Sequence, residues 1–280
     1  MCGFSAYYGE EPNDFIKDGF SIRYRGPDNS QFKEIGGKVG LLFHRLEVVG
    51  LGRSGDQPIR VGNIWLVCNG EIYNHKELFE KHGFKNSSGS DCEIIIHLYE
   101  KYGAKDALSM LDGVFAFFLY DEGKDEWIVA RDPFGVRPAF YGIDKKSFAI
   151  ASEAKAIQNS FDRIFHVTPG TFISSKDPGA KNYFYDLGAR LSLPKDRDII
   201  KSSDEETLRE VRWRLTKAVE KRLMSEREIG CLLSGGLDSS LIASLVSFML
   251  KGNRLVRGVT SDHWKHFPEL ETQRSLKTFS

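Results

Sequence analysis

The chain has 280 residues, 41% of them hydrophobic, enough for a sizeable core and for roughly two domains. Lys plus Arg and Asp plus Glu number 39 each, so the charge balance leaves no footprint for nucleic acid or an anionic membrane surface. No apolar run approaches the ~20 residues of a membrane span and no basic segment followed by an apolar block opens the chain, so a cytoplasmic setting is expected.

Taken in chain order, the first signal is Cys2 behind Met1. Once Met1 is cleaved, which a side chain as small as cysteine permits, the thiol sits beside a free α-amino group of pKa about 8, a built-in general base. Short apolar runs then read as strands: 39–43, 64–68, 114–119, 127–130, 148–151 and 171–173. Several are apolar on successive residues, which predicts strands covered on both faces. Between them Ser90-x-x-Glu93 reads as a capping box, with Ile94, Ile95, Leu98, Tyr99 and Tyr102 at helical spacing. The pattern predicts an α+β fold, two sheets packed face to face with helices outside. Residues 186 to 204, with Pro194 and the Lys195-Asp196-Arg197-Asp198 charge run, read as a linker. Ser203-x-x-Glu206 then opens a helix through Leu223, with Leu208, Val211, Leu215 and Val219 on one face. Residues 229–233 read as a short buried strand and 237–250 as a helix, with a Ser-Gly loop between them. Strand, glycine loop and helix is a setting in which backbone N–H groups converge on phosphate. Residues 253–275 are polar and irregular, and 276–280 read as the start of a second parallel strand. The expected domains are residues 2–190 and an incomplete one at 203–280. The four cysteines show no metal-ligand spacing, and Cys68, Cys92 and Cys231 sit in apolar runs as core residues.

Met1-Cys2-Gly3-Phe4, Arg25-Gly26-Pro27-Asp28, His44-Arg45-Leu46, Gln57-Pro58-Ile59, Asn69-Gly70-Glu71-Ile72-Tyr73-Asn74 and Gly89-Ser90-Asp91, in that order, resemble the class II glutamine amidotransferases. Ser234-Gly235-Gly236-Leu237-Asp238-Ser239-Ser240 resembles the pyrophosphate loop of ATP pyrophosphatases. Together they resemble the family of glutamine-dependent asparagine synthetases, from Met1 to about Ala243. The resemblance implies a four-layer αββα amidotransferase domain followed by the start of an α/β parallel-sheet domain, cut short at Ser280. It implies glutamine, aspartate and ATP as substrates, with Mg²⁺, and no nucleic-acid or membrane partner. Homodimerisation, or association through the incomplete domain, is the expected form of any assembly.

At the first site the resemblance makes Cys2 the nucleophile and, with its α-amino group, the base. It makes the Asn69 side chain and the Gly70 N–H the oxyanion hole, Arg45 the partner of the glutamine α-carboxylate, and Asp91 and Glu71 the partners of its α-amino group. Read alone, Asn69-Gly70 is a hairpin turn, and Asp91 an acid favoured by a helix dipole. Arg25 and Asp28 are expected to order the loop around Cys2, and Arg131 and Asp132 to be structural. At the second site Ser234, Gly235, Gly236, Ser239 and Ser240 are implied to cradle phosphates, Asp238 to hold Mg²⁺ and Leu233 to lie at the adenine. One departure stands out: the family's Arg-Leu-x-x-Val-Asp segment ends here in Gly50. Other class II amidotransferases lack the second loop, β-lactam-synthetase-like enzymes need no ammonia, and a truncated regulatory subunit is the rival from outside enzymology.

Overall fold

The computed structural model describes residues 2–10, 13–191, 203–252 and 277–279. It divides into two units, residues 1–192 and 193–280. In the first, twelve described strands follow in chain order: β1 (Gly3–Tyr8), β2 (Asn29–Ile35), β3 (Val39–Arg45), β4 (Ile59–Val61), β5 (Ile64–Ile72), β6 (Gly113–Asp121), β7 (Glu126–Arg131), β8 (Phe140–Ile143), β9 (Phe148–Ala151), β10 (Ile164–His166), β11 (Thr171–Ser174) and β12 (Asp177–Tyr183). One antiparallel sheet runs β10-β8-β9-β1-β3-β2 and the other β12-β11-β7-β6-β5-β4.

The apolar runs have a simple cause: each central strand is buried on both faces. Along β6, Ala116, Phe118 and Tyr120 pack in the space between the sheets, with Phe4, Leu41 and Phe43 of β1 and β3. The intervening Phe115, Phe117 and Leu119 face the other way, onto the helices α2 (His75–His82) and α3 (Ile94–Met110) through Leu78, Phe79, Ile95 and Leu98. On the far side of the first sheet, Tyr7, Ala149 and Ala151 pack with Phe15 of α1 (Asn13–Gly19) and with Ile22. Period-two alternation thus builds three apolar layers between four layers of structure, the αββα order. Each fully buried large side chain contributes about 1.5–3 kcal/mol to holding the layers together.

One local expectation is corrected. Ser90 does cap the helical turn that begins at Asp91, but its Oγ accepts from the Cys92 N–H at 3.2 Å. Glu93 does not reach back to Ser90; its carboxylate accepts from the N–H groups of Ser87 at 2.8 Å and Ser88 at 2.6 Å. The loop before the helix curls over its start, Gly89 taking φ +74°, and offers those donors first. Asn69-Gly70, a turn signal only when read alone, forms no turn. Both residues lie inside β5, paired with Ala116 and Phe115 of β6.

A short helix, α4 (Leu187–Leu191), falls at the end of the first unit. In the second, α5 (Asp204–Glu220) is capped by Ser203, whose Oγ accepts from the Glu206 N–H at 3.2 Å. β13 (Gly230–Leu232) pairs in parallel with β14 (Lys277–Phe279), and α6 (Leu237–Leu250) packs Leu245 and Val246 against Val219 of α5. The strand read as buried is not: Leu232 is 82% exposed and Cys231 half-buried. Leu208 and Val211 of the expected apolar face are likewise exposed. The reason is local, since among the described residues β13 has one neighbouring strand and the small cluster reaches only the C-terminal half of α5. Pro194, the 195–198 charge run and residues 253–275 lie outside the described residues. Among those described, no helix is long and apolar enough to cross a membrane.

Candidate active site

Where β1 begins and β3 ends, Cys2, Arg45, Gln57, Asn69, Gly70, Glu71, Asp91 and Arg137 line one cleft of about 160 Å³. The Cys2 Sγ lies 3.3 Å from the Leu46 N, which donates to it, and 3.5 Å from the Leu46 carbonyl. Burial pushes the Cys2 thiol up from its ordinary value, opposed by the Leu46 hydrogen bond and, more weakly, by the positive charge of Arg137. Arg25 donates from Nε to the Cys2 carbonyl at 3.1 Å and pairs with Glu153 at 3.0 Å. Asp28 accepts from the Glu47 N–H at 2.8 Å. Both residues therefore fix the segments on either side of the thiol.

The two residues expected to form an oxyanion hole lie on β5, and the free edge of that strand places Gly70. β4 covers β5 only from Ile64 to Leu66. Beyond it, side chains take over the ladder. Gln57 accepts from the Cys68 N–H at 2.6 Å and donates to its carbonyl at 3.1 Å. Asp91 accepts from the Ile72 N–H at 2.6 Å. Gly70 lies between these two and faces the same way, because backbone groups two residues apart share an edge. Its opposite residue, Phe115, gives both its N–H and its carbonyl to Asp132, so the register turns the Gly70 N–H away from β6. A Cβ at residue 70 would meet the Val114 carbonyl at 2.6 Å, which is why glycine stands there. Next to it Asn69 is 1% exposed, and its Nδ2 has no hydrogen-bond partner among the described residues. A buried unpaired donor costs about 1–3 kcal/mol, and its presence in a native fold calls for an acceptor.

The other end of the cleft is charged. Asp91 is buried, and burial first, then the Glu71 charge, push its carboxyl up to about 6. Glu71 pairs with Arg137 at 3.2 Å. Arg45 lines the cleft, but its guanidinium is engaged by Asp56 at 2.7 Å and by the Gly50 and Gly52 carbonyls. Gly50 takes φ +67°, a left-handed conformation that glycine adopts without strain, so the departure noted in this segment serves the turn around Arg45. Arg131 and Asp132 bond only to their own loop and to neighbouring backbone. Arg137 and the bracing role of Gln57 were missed by sequence reasoning. The signal for Arg137 was its place in the same Arg-Asp-Pro-Phe-Gly-Val-Arg-Pro run, whose first two residues are structural.

In the second unit, Gly236 caps α6 with no side-chain partner, and Gly235 takes φ +82° in open space. Ser234 and Ser239 share a hydrogen bond at 3.0 Å, while Ser239 and Ser240 donate to the Gly236 carbonyl at 3.1 and 2.8 Å. Leu233 and Ser240 line an open hollow of about 620 Å³ along α6. Asp238 is exposed in the first helical turn, and no group of three potential metal ligands occurs among the described residues.

A family model described as a glutamine amidotransferase domain matches residues 1–172, and one described as asparagine synthase matches 210–280. The chain is similar to the glutamine-hydrolysing asparagine synthetases of Cricetulus griseus, 36% identical over 283 residues, and of Gallus gallus, 37% identical over 276 residues. Each match covers 90% of this chain and 49% of the relative, so the chain spans about half the length of the curated relatives it matches. Among solved structures, one titled as the allosteric regulatory enzyme of purine biosynthesis aligns with TM-score 0.55 at 22% identity, covering 88% of this chain and 63% of that one. The glutamine phosphoribosylpyrophosphate amidotransferase of B. subtilis aligns with TM-score 0.52, also at 22% identity, covering 88% of this chain and 64% of that one. At that identity the likeness concerns the fold alone. With a matching model over residues 1–172 and the αββα layers beneath it, the chain belongs to the glutamine amidotransferase family.

Proposed function

We propose that the first unit hydrolyses the side-chain amide of glutamine, with Cys2 as nucleophile after removal of Met1. The observation that carries this reading is the Asn69 Nδ2, buried and unpaired in the same cleft as the thiol. The freed α-amino group takes the thiol proton, and Sγ attacks the amide carbon. Negative charge then develops on the amide oxygen, where Asn69 Nδ2 and the Gly70 N–H supply the donors they cannot use elsewhere. The ammonium group of Cys2 returns a proton to the departing nitrogen, ammonia leaves, and water hydrolyses the thioester to glutamate. Asp91 and Glu71 hold the substrate's α-ammonium group. For the α-carboxylate the reading is Arg45, whose fork is shared with the loop it braces.

For the second unit we propose the phosphate-binding part of a synthetase that passes this ammonia to aspartate. The loop fits such a group in part: serine hydroxyls and a glycine-capped helix of fourteen residues converge with no side chain in the way. Asp238 alone would carry Mg²⁺ only with phosphate oxygens completing the shell, as Mg²⁺ commonly binds. On this reading the aspartate β-carboxylate is adenylated as pyrophosphate leaves, and ammonia then displaces AMP.

One product assay tests both parts. The purified chain is given amide-labelled glutamine, aspartate, ATP and Mg²⁺, and glutamate and labelled asparagine are followed by mass spectrometry. Glutamate formation that disappears in Cys2→Ala supports the glutaminase reading; its persistence in that variant overturns it. Labelled asparagine supports the second assignment for this chain.

A further inference from the structure

The run 131–138 holds its own backbone rigid and sends one side chain into the cleft. Asp132 accepts from the N–H groups of Phe134, Val136 and Arg137, and Arg131 donates to the carbonyls of Gly135 and Arg137. Arg137 is therefore pinned at both its N–H and its carbonyl. Its side chain, 11% exposed, reaches Glu71, where Nη2 stands 3.2 Å from Oε1. Its Nε is buried with no partner among the described residues. The fork of Arg131, by contrast, is satisfied at all three nitrogens.

The neighbouring charges explain what such a residue does. Glu71 and Asp91 are two carboxylates lining one small cleft, and the Glu71 charge adds to burial in disfavouring ionisation of Asp91. A cation bonded to Glu71 sets the direction of its carboxylate. Arg45 does not serve there: its hydrogen bonds run to Asp56 and the loop carbonyls and not to Glu71.

We propose that Arg137 is a positioning residue of the amino-acid end of the site, holding Glu71 in place for the α-ammonium group of the substrate. This rests on reading the cleft as a glutamine site. It acts through Glu71, so its loss weakens substrate binding more than the attack by Cys2.

The test is glutamine protection of Cys2 against iodoacetamide, read at the Cys2 peptide by mass spectrometry on the full chain. Arg137→Met is expected to raise the half-protecting glutamine concentration about tenfold, and Arg137→Lys to recover most of that loss. Glu71→Gln is expected to give a similar loss, and the Met/Gln double variant no more than either alone, as for two residues acting as one unit. Should Arg137→Met fail to fold, the same cycle is run with Arg137→Gln. Losses that multiply in the double variant, or protection unchanged without Arg137, overturn the proposal while leaving the glutamine reading intact. Absence of protection in the unaltered chain overturns the glutamine reading itself and this one with it.

Discussion

The cleft around Cys2 and the loop around Gly235 both offer backbone and side-chain donors, yet they hold them by different means. At Asn69 and Gly70 the donors are fixed by a sheet buried on both faces, and one of them is kept unpaired at a cost. At 234–240 the serines bond to one another and to the Gly236 carbonyl, and all but Ser239 are exposed. A donor in a dry, rigid setting is preorganised for charge that appears only in a transition state. An exposed loop whose hydroxyls satisfy each other must rearrange to meet a phosphate. The difference teaches that the donors of the first cleft are held rigid by the sheet, while those of the second loop are held by one another.

The largest effect that would sharpen this contrast is at Asn69. Asn69→Ala is expected to lower kcat for glutamine hydrolysis by about 10²–10³-fold. Because the lost amide donor is unpaired in the resting protein, the thermal midpoint should move little. A large fall in stability with a small fall in kcat would show that Asn69 is a structural group.

A second, opposite trade is expected at Asp91. Its carboxyl titrates at about 6 against an ordinary 3.8, so the folded state favours the protonated form. The stability this contributes is fully present below the ordinary value and is lost as pH rises through about 6. At pH 8 the buried charge therefore costs up to about 3 kcal/mol. Asp91→Asn should melt several degrees higher than the parent at pH 8, an advantage that fades towards pH 4, while losing glutamine affinity. Thermal melts across that range, paired with a binding assay, check both halves. A variant less stable at pH 8 would break the argument.

The smallest effect belongs to the second unit. Leu232 is 82% exposed, so Leu232→Ser should change stability by less than about 0.5 kcal/mol. Denaturant unfolding measures this, and a loss of several kcal/mol would mean that the strand is covered in solution.

The two sheets were legible where both faces of a strand are buried, as in β5 and β6, because burial on both sides writes consecutive apolar residues. β1 escaped notice although it follows Cys2 directly. Its Ser5 and Ala6 are small, and close packing there needs little bulk. β2 and β12 are polar edge strands with no apolar run to find. At the site, Cys2 was legible from its position and Asn69-Gly70 only from the company it keeps, since the same dipeptide alone signals a turn. Arg137 was hidden because a side chain 66 residues from Glu71 meets it only through the fold.

The edge of β5 has a meaning for solubility as well as for chemistry. An exposed row of strand donors invites another chain to add itself to the sheet. Here the row is sealed by Gln57 at Cys68 and by Asp91 at Ile72, which leaves a vacancy one residue long. No β-strand can register on so short a gap, whereas a single carbonyl oxygen can. The same two side chains that brace the cleft therefore also act as gatekeepers, leaving one donor open on an edge from which peptides are barred.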